Sequence, residues 1–375
     1  MDEPSRGSPL RSIGWGLFLA SSWTWCIGAF LPLLLLRDWG WQGFVVFALP
    51  NVIGATTVGF LWTSERSRAF TERRRGLLAW FSVATLSYQA FFIAWMAPSI
   101  VTATLGAAPE APIGGEQWMA WLMAMAAFAL VVSGGRGRDR AWILLGTIVS
   151  LGSYALWLRH GVGTGDAAVV GIAPPLDLWL LAPAIAMGFL VCPHLDLTFH
   201  RVLQRDGTRL PWLVFAPAFT AMLFITVSGW RGVTGAFAAW WFIQVSFTAA
   251  AHARELRAST IRGVGLLIPV AVLLGAFAGR PGFGDEAIYL RFLGLYGAVF
   301  PGIALLLWRG RSGIAILFFL AVAIPAFEVG FLGSEGDGAT RWAWAPLIPI
   351  ALLLGMLAIP RRIEHSDTSP AVRAE

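Results

Sequence analysis

SIGWGLFLASSWTWCIGAFLPLLLL, the stretch Ser12–Leu36, carries no charged residue and is long enough to cross a bilayer as one helix, since a span needs roughly 20 apolar residues. Eleven further runs resemble it: Trp41–Trp62, Leu77–Pro98, Glu116–Ser133, Ala141–Leu158, Leu176–Pro193, Pro211–Ser228, Val233–Ala251, Ile261–Gly279, Ala287–Trp308, Ser312–Leu332 and Trp342–Pro360. The whole chain agrees with these runs. Of its 375 residues 57% are hydrophobic and 13% charged, and the mean hydropathy is +0.69. A soluble domain carries about 25% charged residues, so this chain has too little polar surface to face water and the lipid bilayer is its expected solvent. The expected fold class is all-α: a polytopic membrane helix bundle of about twelve transmembrane helices. Residues 12–360 form a single transmembrane domain, between an N-terminal piece at 1–11 and a polar tail at 361–375 expected to be disordered. The first run lacks a small-residue cleavage site and reads as a retained span, not a signal peptide.

Charge tests the count. All 27 basic residues are arginine, and the net charge is +6. With a cytoplasmic N-terminus, 21 arginines fall in cytoplasmic pieces, among them Arg66, Arg68, Arg73, Arg74 and Arg75 in the second link and Arg201, Arg205 and Arg209 in the sixth. Six remain for the other side: Arg37, Arg159, Arg231, Arg280, Arg291 and Arg341. Basic residues stay on the cytoplasmic side, and one span more or fewer would invert the bias of every later link. The expected location is therefore a bacterial cytoplasmic (inner) membrane, with both ends inside. Gly106–Gly115 and Gly161–Pro175 read as outer loops. The arginines lie in short clusters between apolar runs and not along one face, which excludes a nucleic-acid partner. Cys26 and Cys192 both fall inside spans and do not suggest a disulfide.

Polar groups at membrane depth are the functional pointers, because each is costly there unless partnered. The first span reads Ala20-Ser21-Ser22-Trp23-Thr24-Trp25-Cys26-Ile27-Gly28 and then Pro32. Two readings stay open: a broken helix whose freed carbonyls hold an ion or substrate, or a kinked helix packed through small residues. The sixth span offers a partial echo in Pro183, Gly188, Cys192 and Pro193. Asn51, Gln89 and Gln244 read first as interhelical hydrogen-bonding groups. Arg291 and Glu328 lie at equal depth below the outer boundary, so a buried ion pair stands beside separate snorkelling to the headgroups. His194 and His200 are six apart and face different sides of a helix. With Asp196 they read as a solvated helix end, and no metal site is expected.

These residues resemble a family. Ser21-Ser22-Trp23-Thr24, together with Cys192-Pro193-His194-Leu195 and the following Arg201, look like the sodium:solute symporter family of the amino acid-polyamine-organocation superfamily. The resemblance implies the leucine-transporter-type fold, two inverted five-helix repeats followed here by two helices. It also implies a coupling sodium held by carbonyls of the first core helix and hydroxyls of the eighth. Here the eighth span offers Gln244, Ser246 and Thr248, with Phe247 standing where the family places a second, adjacent hydroxyl. The expected substrate and ion residues are Ser21, Ser22, Trp23, Thr24, Gly28, Gly188, Gln244, Ser246 and Thr248, with Na+ or H+ as coupling ion and no other cofactor.

The expected function is secondary transport of a small solute. A major-facilitator-type bundle fits the twelve spans and the basic sixth link equally well, and the arginine-rich second link, Glu65 to Gly76, resembles that family's loop motif. A sensor or assembly subunit without transport is the alternative from another class. An enzyme is not expected, because clustered catalytic residues are missing. Single cysteines placed at 73 and 138 should label from one side of the membrane and those at 114 and 163 from the other; labelling of 114 from the same side as 73 would remove the twelve-span topology.

Overall fold

Ser8 starts the first helix: its hydroxyl accepts from the Arg11 amide at 3.4 Å, and Pro9 fills the first helical position, where a missing N–H costs nothing. This helix, α1 (Pro9–Trp23), stops at Thr24 (φ −78°, ψ 81°), and α2 (Cys26–Leu61) begins two residues later. The first span is therefore broken in its middle. Within α2, Gly40 has φ +62° and ψ −152°, a backbone that suits only glycine. The kink divides α2 into two rods, 26–39 completing the first span and 41–61 forming the second.

The computed structural model describes residues 8–24, 26–105, 125, 127–129, 131, 137–160, 173–229, 235–256, 264–278, 286–332 and 343–358. Nearly all of the expected fourth span, the outer loop Gly106–Gly115, most of Gly161–Pro175 and the tail 361–375 lie outside these residues. Beyond α2 come α3 (Ser64–Arg73), α4 (Arg75–Leu105), α5 (Asp139–His160) and α6 (Pro175–Val191). A 3-10 turn at Cys192–Leu195 leads into α7 (Leu197–Arg205), then α8 (Leu210–Gly229), α9 (Gly235–Leu256) and α10 (Val264–Ala278). After α11 (Glu286–Gly294) a π turn, Leu295–Val299, continues into α12 (Phe300–Trp308), followed by α13 (Gly313–Leu332) and α14 (Leu347–Leu357). In the sixth span the α-helix runs unbroken past Pro183 and Gly188 and changes only at Cys192.

No strand occurs among the described residues. Among the described residues seven helical stretches are long and apolar enough to cross a membrane: Phe30–Leu61, Arg75–Ala97, Asp139–Arg159, Pro175–Leu195, Leu210–Val227, Glu286–Trp308 and Gly313–Leu332. Leu267–Ala278 and Leu347–Leu357 are shorter apolar helices. The first of the seven holds two rods because of Gly40.

The first and second spans pack with α6 and α8, while α4 packs with α9 and α10; α1 also lies against α5, and α13 against α14. Lipid tails give apolar side chains no reason to leave them, so close backbone approach does much of the work of holding such helices together. A Cβ on Gly54 would sit 2.3 Å from the Phe189 carbonyl oxygen, and one on Gly188 would sit 2.2 Å from that of Gly297.

Several arginine-bearing segments meet at one end of the bundle. There Ser12 donates to the Asp206 carboxylate (2.9 and 3.1 Å), Arg68 to the Gln204 carbonyl (3.2 Å) and Arg74 to the Trp308 carbonyl (3.4 Å). At the other end the Ala173 amide donates to the Asp38 carbonyl (2.8 Å), and Arg37 pairs with Glu286. Ser12, Arg68, Arg74, Gln204, Asp206 and Trp308 thus gather at one end, and Arg37, Asp38, Ala173 and Glu286 at the other.

Gly54→Val should lower unfolding stability in detergent by about 1–3 kcal/mol, the usual cost of forcing atoms into a packed interface. Gly152→Ala, where an added Cβ meets nothing within 4 Å, should be neutral or stabilising by up to about 1 kcal/mol. Thermal unfolding of both variants checks the contrast.

Candidate functional site

The break in the first span frees backbone carbonyls, and α9 answers them. Gln244 Nε2 donates to the Ser21 carbonyl in a close contact, and Thr248 Oγ1 lies 3.1 Å from that same oxygen. Thr248 Oγ1 is also 3.5 Å from the Thr24 carbonyl and 3.2 Å from the Gln244 carbonyl. A hydroxyl has one proton to donate, so three carbonyl oxygens crowd a group able to serve one of them. The result is a small oxygen-rich centre, fully buried, with Gln244 and Thr248 one helical turn apart on α9.

The expected site residues divide between this centre and other roles. Ser21 and Thr24 contribute backbone, not side chains. The Ser21 hydroxyl turns to α5, 2.8 Å from Ser150 Oγ and 3.3 Å from the Gly146 carbonyl. Ser22 Oγ donates to the Leu19 carbonyl (3.2 Å) and Thr24 Oγ1 to that of Ala20 (2.8 Å), both within α1. These hydroxyls thus do not point to one another: a helical Ser or Thr satisfies itself on the preceding turn. Ser246, two residues from Gln244, projects away from the face that carries Gln244 and Thr248; its buried hydroxyl has no hydrogen bond among the described residues.

Trp23, Gly28 and Gly188 belong to a neighbouring cavity of about 160 Å³, enclosed by α2, α6, α11, the π turn and α13. Its walls are apolar, from Leu31, Ile185, Leu290 and Phe327 among others, and Asn51 supplies a polar side chain within it. Trp23 Nε1 donates to Asn51 Oδ1 at 2.7 Å. Arg37, Asp38 and Glu286 also line it, Arg37 binding Asp38 at 2.7 Å and Glu286 at 3.1 Å. Trp23 is joined in sequence to Thr24, so the cavity and the oxygen centre meet at the break.

Arg291 and Glu328 do pair, through two contacts of 2.9 Å. The pair is not buried, since the two side chains are 51% and 43% exposed; α11 and α13 carry them on the outside of the bundle. Of the three amides, Asn51 and Gln244 bond across helices, whereas neither polar atom of Gln89 has a hydrogen bond among the described residues.

A second polar assembly lies at the arginine-rich end, where the sequence showed only a helix terminus. Asp139 of α5 receives Arg201 (3.4 Å), Arg205 (3.2 Å) and Arg254, while Arg201 also grips Glu255 at 2.5 and 2.8 Å. Three helices, α5, α7 and α9, are thereby clamped. Asp196 caps α7 by accepting the Thr198 amide at 2.6 Å, and burial pushes its carboxyl up to about 7. The buried His200 has Nε2 3.0 Å from the His194 carbonyl and Nδ1 2.9 Å from Ser67 Oγ. A carbonyl can only accept, so Nε2 carries a proton, and burial draws the ring's pKa down to about 4. Trp62 Nε1 donates to His194 Nδ1 at 2.8 Å. Among the described residues no three His, Cys, Asp or Glu are grouped to hold a metal. No sequence spacing announces this assembly, because its members come from four separate segments.

The fold and its polar centres define the class: an integral membrane protein built as a helical bundle. No family model matches the chain, and neither a curated protein nor a solved structure matches it.

Removing a donor to the Ser21 carbonyl should be felt more than removing a hydroxyl that bonds to a carbonyl of its own helix. Gln244→Leu is expected to cost about 1–3 kcal/mol, the penalty of an unsatisfied buried polar group, with Ser22→Ala costing less. Denaturation of the two variants in detergent measures the difference.

Proposed function

We propose that this protein is a secondary active transporter that moves a small solute with an apolar body, coupled to an ion bound at the break in its first span. The observation that carries the reading is the convergence of the Ser21, Thr24 and Gln244 carbonyls on Thr248 Oγ1. Interrupted helices offering freed carbonyls at mid-membrane are how such proteins hold ions, and an all-oxygen shell suits a hard cation. Sodium would be held by those oxygens, supplying a positive charge that draws α1 and α9 together. Two features depart from the resemblance: Gln244 presents an amide N–H to the Ser21 carbonyl, and Phe247 replaces a hydroxyl. The solute would occupy the adjoining cavity, its apolar part against Leu31, Ile185 and Leu290 and a polar group near Asn51.

The neighbour relations support an inverted repeat. If span n corresponds to span n+5, the packing of the first span on α8 is the image of the second span on α6, and both occur. Likewise α1 against α5 images α6 against the π turn and α12, while α4 with α9 maps onto itself. A parallel repeat relating span n to n+6 would instead call for α2 on α10, α8 on α13 and α9 on α14; among the described residues these form no packed interface. On this reading the arginine-rich end faces the cytoplasm, in a bacterial inner membrane, and the transport is symport.

Sodium should stabilise the purified protein against heat when it replaces choline at equal ionic strength, by up to about 2.7 kcal/mol at a hundred times its dissociation constant. Thr248→Val should abolish the effect and Thr248→Ser should keep it. Equal melting in both salts for the wild type would rule out sodium at the break, and a Thr248→Val variant that responds normally would move the site elsewhere.

A further inference from the structure

Asp196 and His252 come from segments 56 positions apart in the sequence and meet where α7, α9 and α4 converge. Both side chains are 0% exposed, with Asp196 Oδ2 3.5 Å from His252 Nε2. The two carboxylate oxygens differ in their surroundings. Oδ1 accepts the Thr198 amide, while Oδ2 is buried and has no hydrogen bond among the described residues. On the far side of the imidazole, Nδ1 is 3.3 Å from Ser82 Oγ of α4.

We propose that Asp196 and His252 form a proton-binding site, a buried carboxyl–imidazole dyad that holds one proton between Oδ2 and Nε2 while the arginine-rich end is closed. The bound proton fills the empty oxygen. It leaves the dyad with zero net charge, whether it rests on oxygen or on nitrogen. Losing it would leave a carboxylate in full burial, and adding a second would leave an imidazolium there; both are heavily penalised in a low dielectric. The coupled pair therefore titrates as a unit.

Among the described residues, the cations near the dyad are already paired. The 3-10 turn presents Cys192 and His194, α7 presents His200 and Arg201, and α4 presents the Ser82 hydroxyl. From α9 come Arg254 and Glu255, and from α5 Asp139 lies behind Arg201. Both arginines are already engaged by Asp139 and Glu255. In this closed arrangement burial holds the Asp196 carboxyl near 7.

A polar recess reaches toward the dyad from the arginine-rich end. Arg68, Thr71, Gln204 and Glu255 line it, and Leu197 and His200, one and four residues beyond Asp196, form part of its wall. Separation of α7 from α9 would break the Arg201–Glu255 grip and admit water to the dyad. The carboxyl would then return toward its ordinary acidity and release the proton. The dyad is thus a site whose affinity for H+ follows the closure of that end. The site stands on its own geometry, and its use as a second coupling ion rests on the transport reading.

Infrared titration of the purified full chain in detergent tests the site directly. The wild type should show a protonated-carboxyl band that fades as pH rises through about 7. Asp196→Asn, which keeps the helix cap, should lose that band. Glu255→Gln should retain it, and His252→Gln should shift its midpoint. A band that persists unchanged in Asp196→Asn, or a wild type with no carboxyl titrating near neutrality, overturns the proposal. If sodium fails to stabilise the protein while the Asp196 band still titrates, the transport reading loses its support and the proton site stands.

Discussion

A backbone carbonyl inside a bilayer has no water to turn to, and everything in this protein's centre follows from the carbonyls released at Thr24. Helices cross membranes because they satisfy their own peptide groups. A helix broken halfway must be completed from outside, and here α9 completes it with Gln244 and Thr248. That requirement fixes α9 against the first span and brings the fully buried centre to the middle of the bundle. Glycines then set how near the other helices come, as at Gly54 and Gly188, where carbonyls of the neighbouring backbone take the place of a side chain.

The two ends of the bundle are built differently. Arg37, Asp38 and Glu286 line the cavity beyond the break with partly exposed charges, whose pairing is weak in contact with water. At the arginine-rich end Asp139, Arg201, Arg254 and Glu255 form a more enclosed network joining three helices. Such a network is costly to leave half made. The Asp196–His252 dyad lies just inside it. The arginine-rich end, the cavity near Arg37, Asp38 and Glu286 and the helix break between them are the parts that the proposed transport would use.

Much of this was legible in the chain. The apolar runs and the short supply of charge indicated a membrane bundle, and the alternation of arginines indicated which links gather at each end; the contacts of Ser12, Arg68, Arg74 and Asp139 agree with it. The weak point of the first span was visible as Ser21, Ser22, Thr24, Gly28 and Pro32. The identity of the polar atoms was not. Hydroxyls attracted attention, yet Ser22 and Thr24 use theirs on their own helix, and the atoms that meet α9 are carbonyls common to every residue. Arg291 and Glu328 were correctly matched in depth, but depth along a helix does not say which way around the helix a side chain points.

Transfer from water to lipid is decided residue by residue and summed along a run, which is why the sequence by itself determined that this chain crosses membranes, roughly where, and with which links on a common side. Which helices touch depends on rotations and close approaches that involve the whole bundle at once, so only the tertiary structure decided that α9 completes the broken span. The same holds for the Arg201–Glu255 grip and for Asp196 facing His252. In those cases the chemistry lies between segments tens of residues apart, and no local spacing records it.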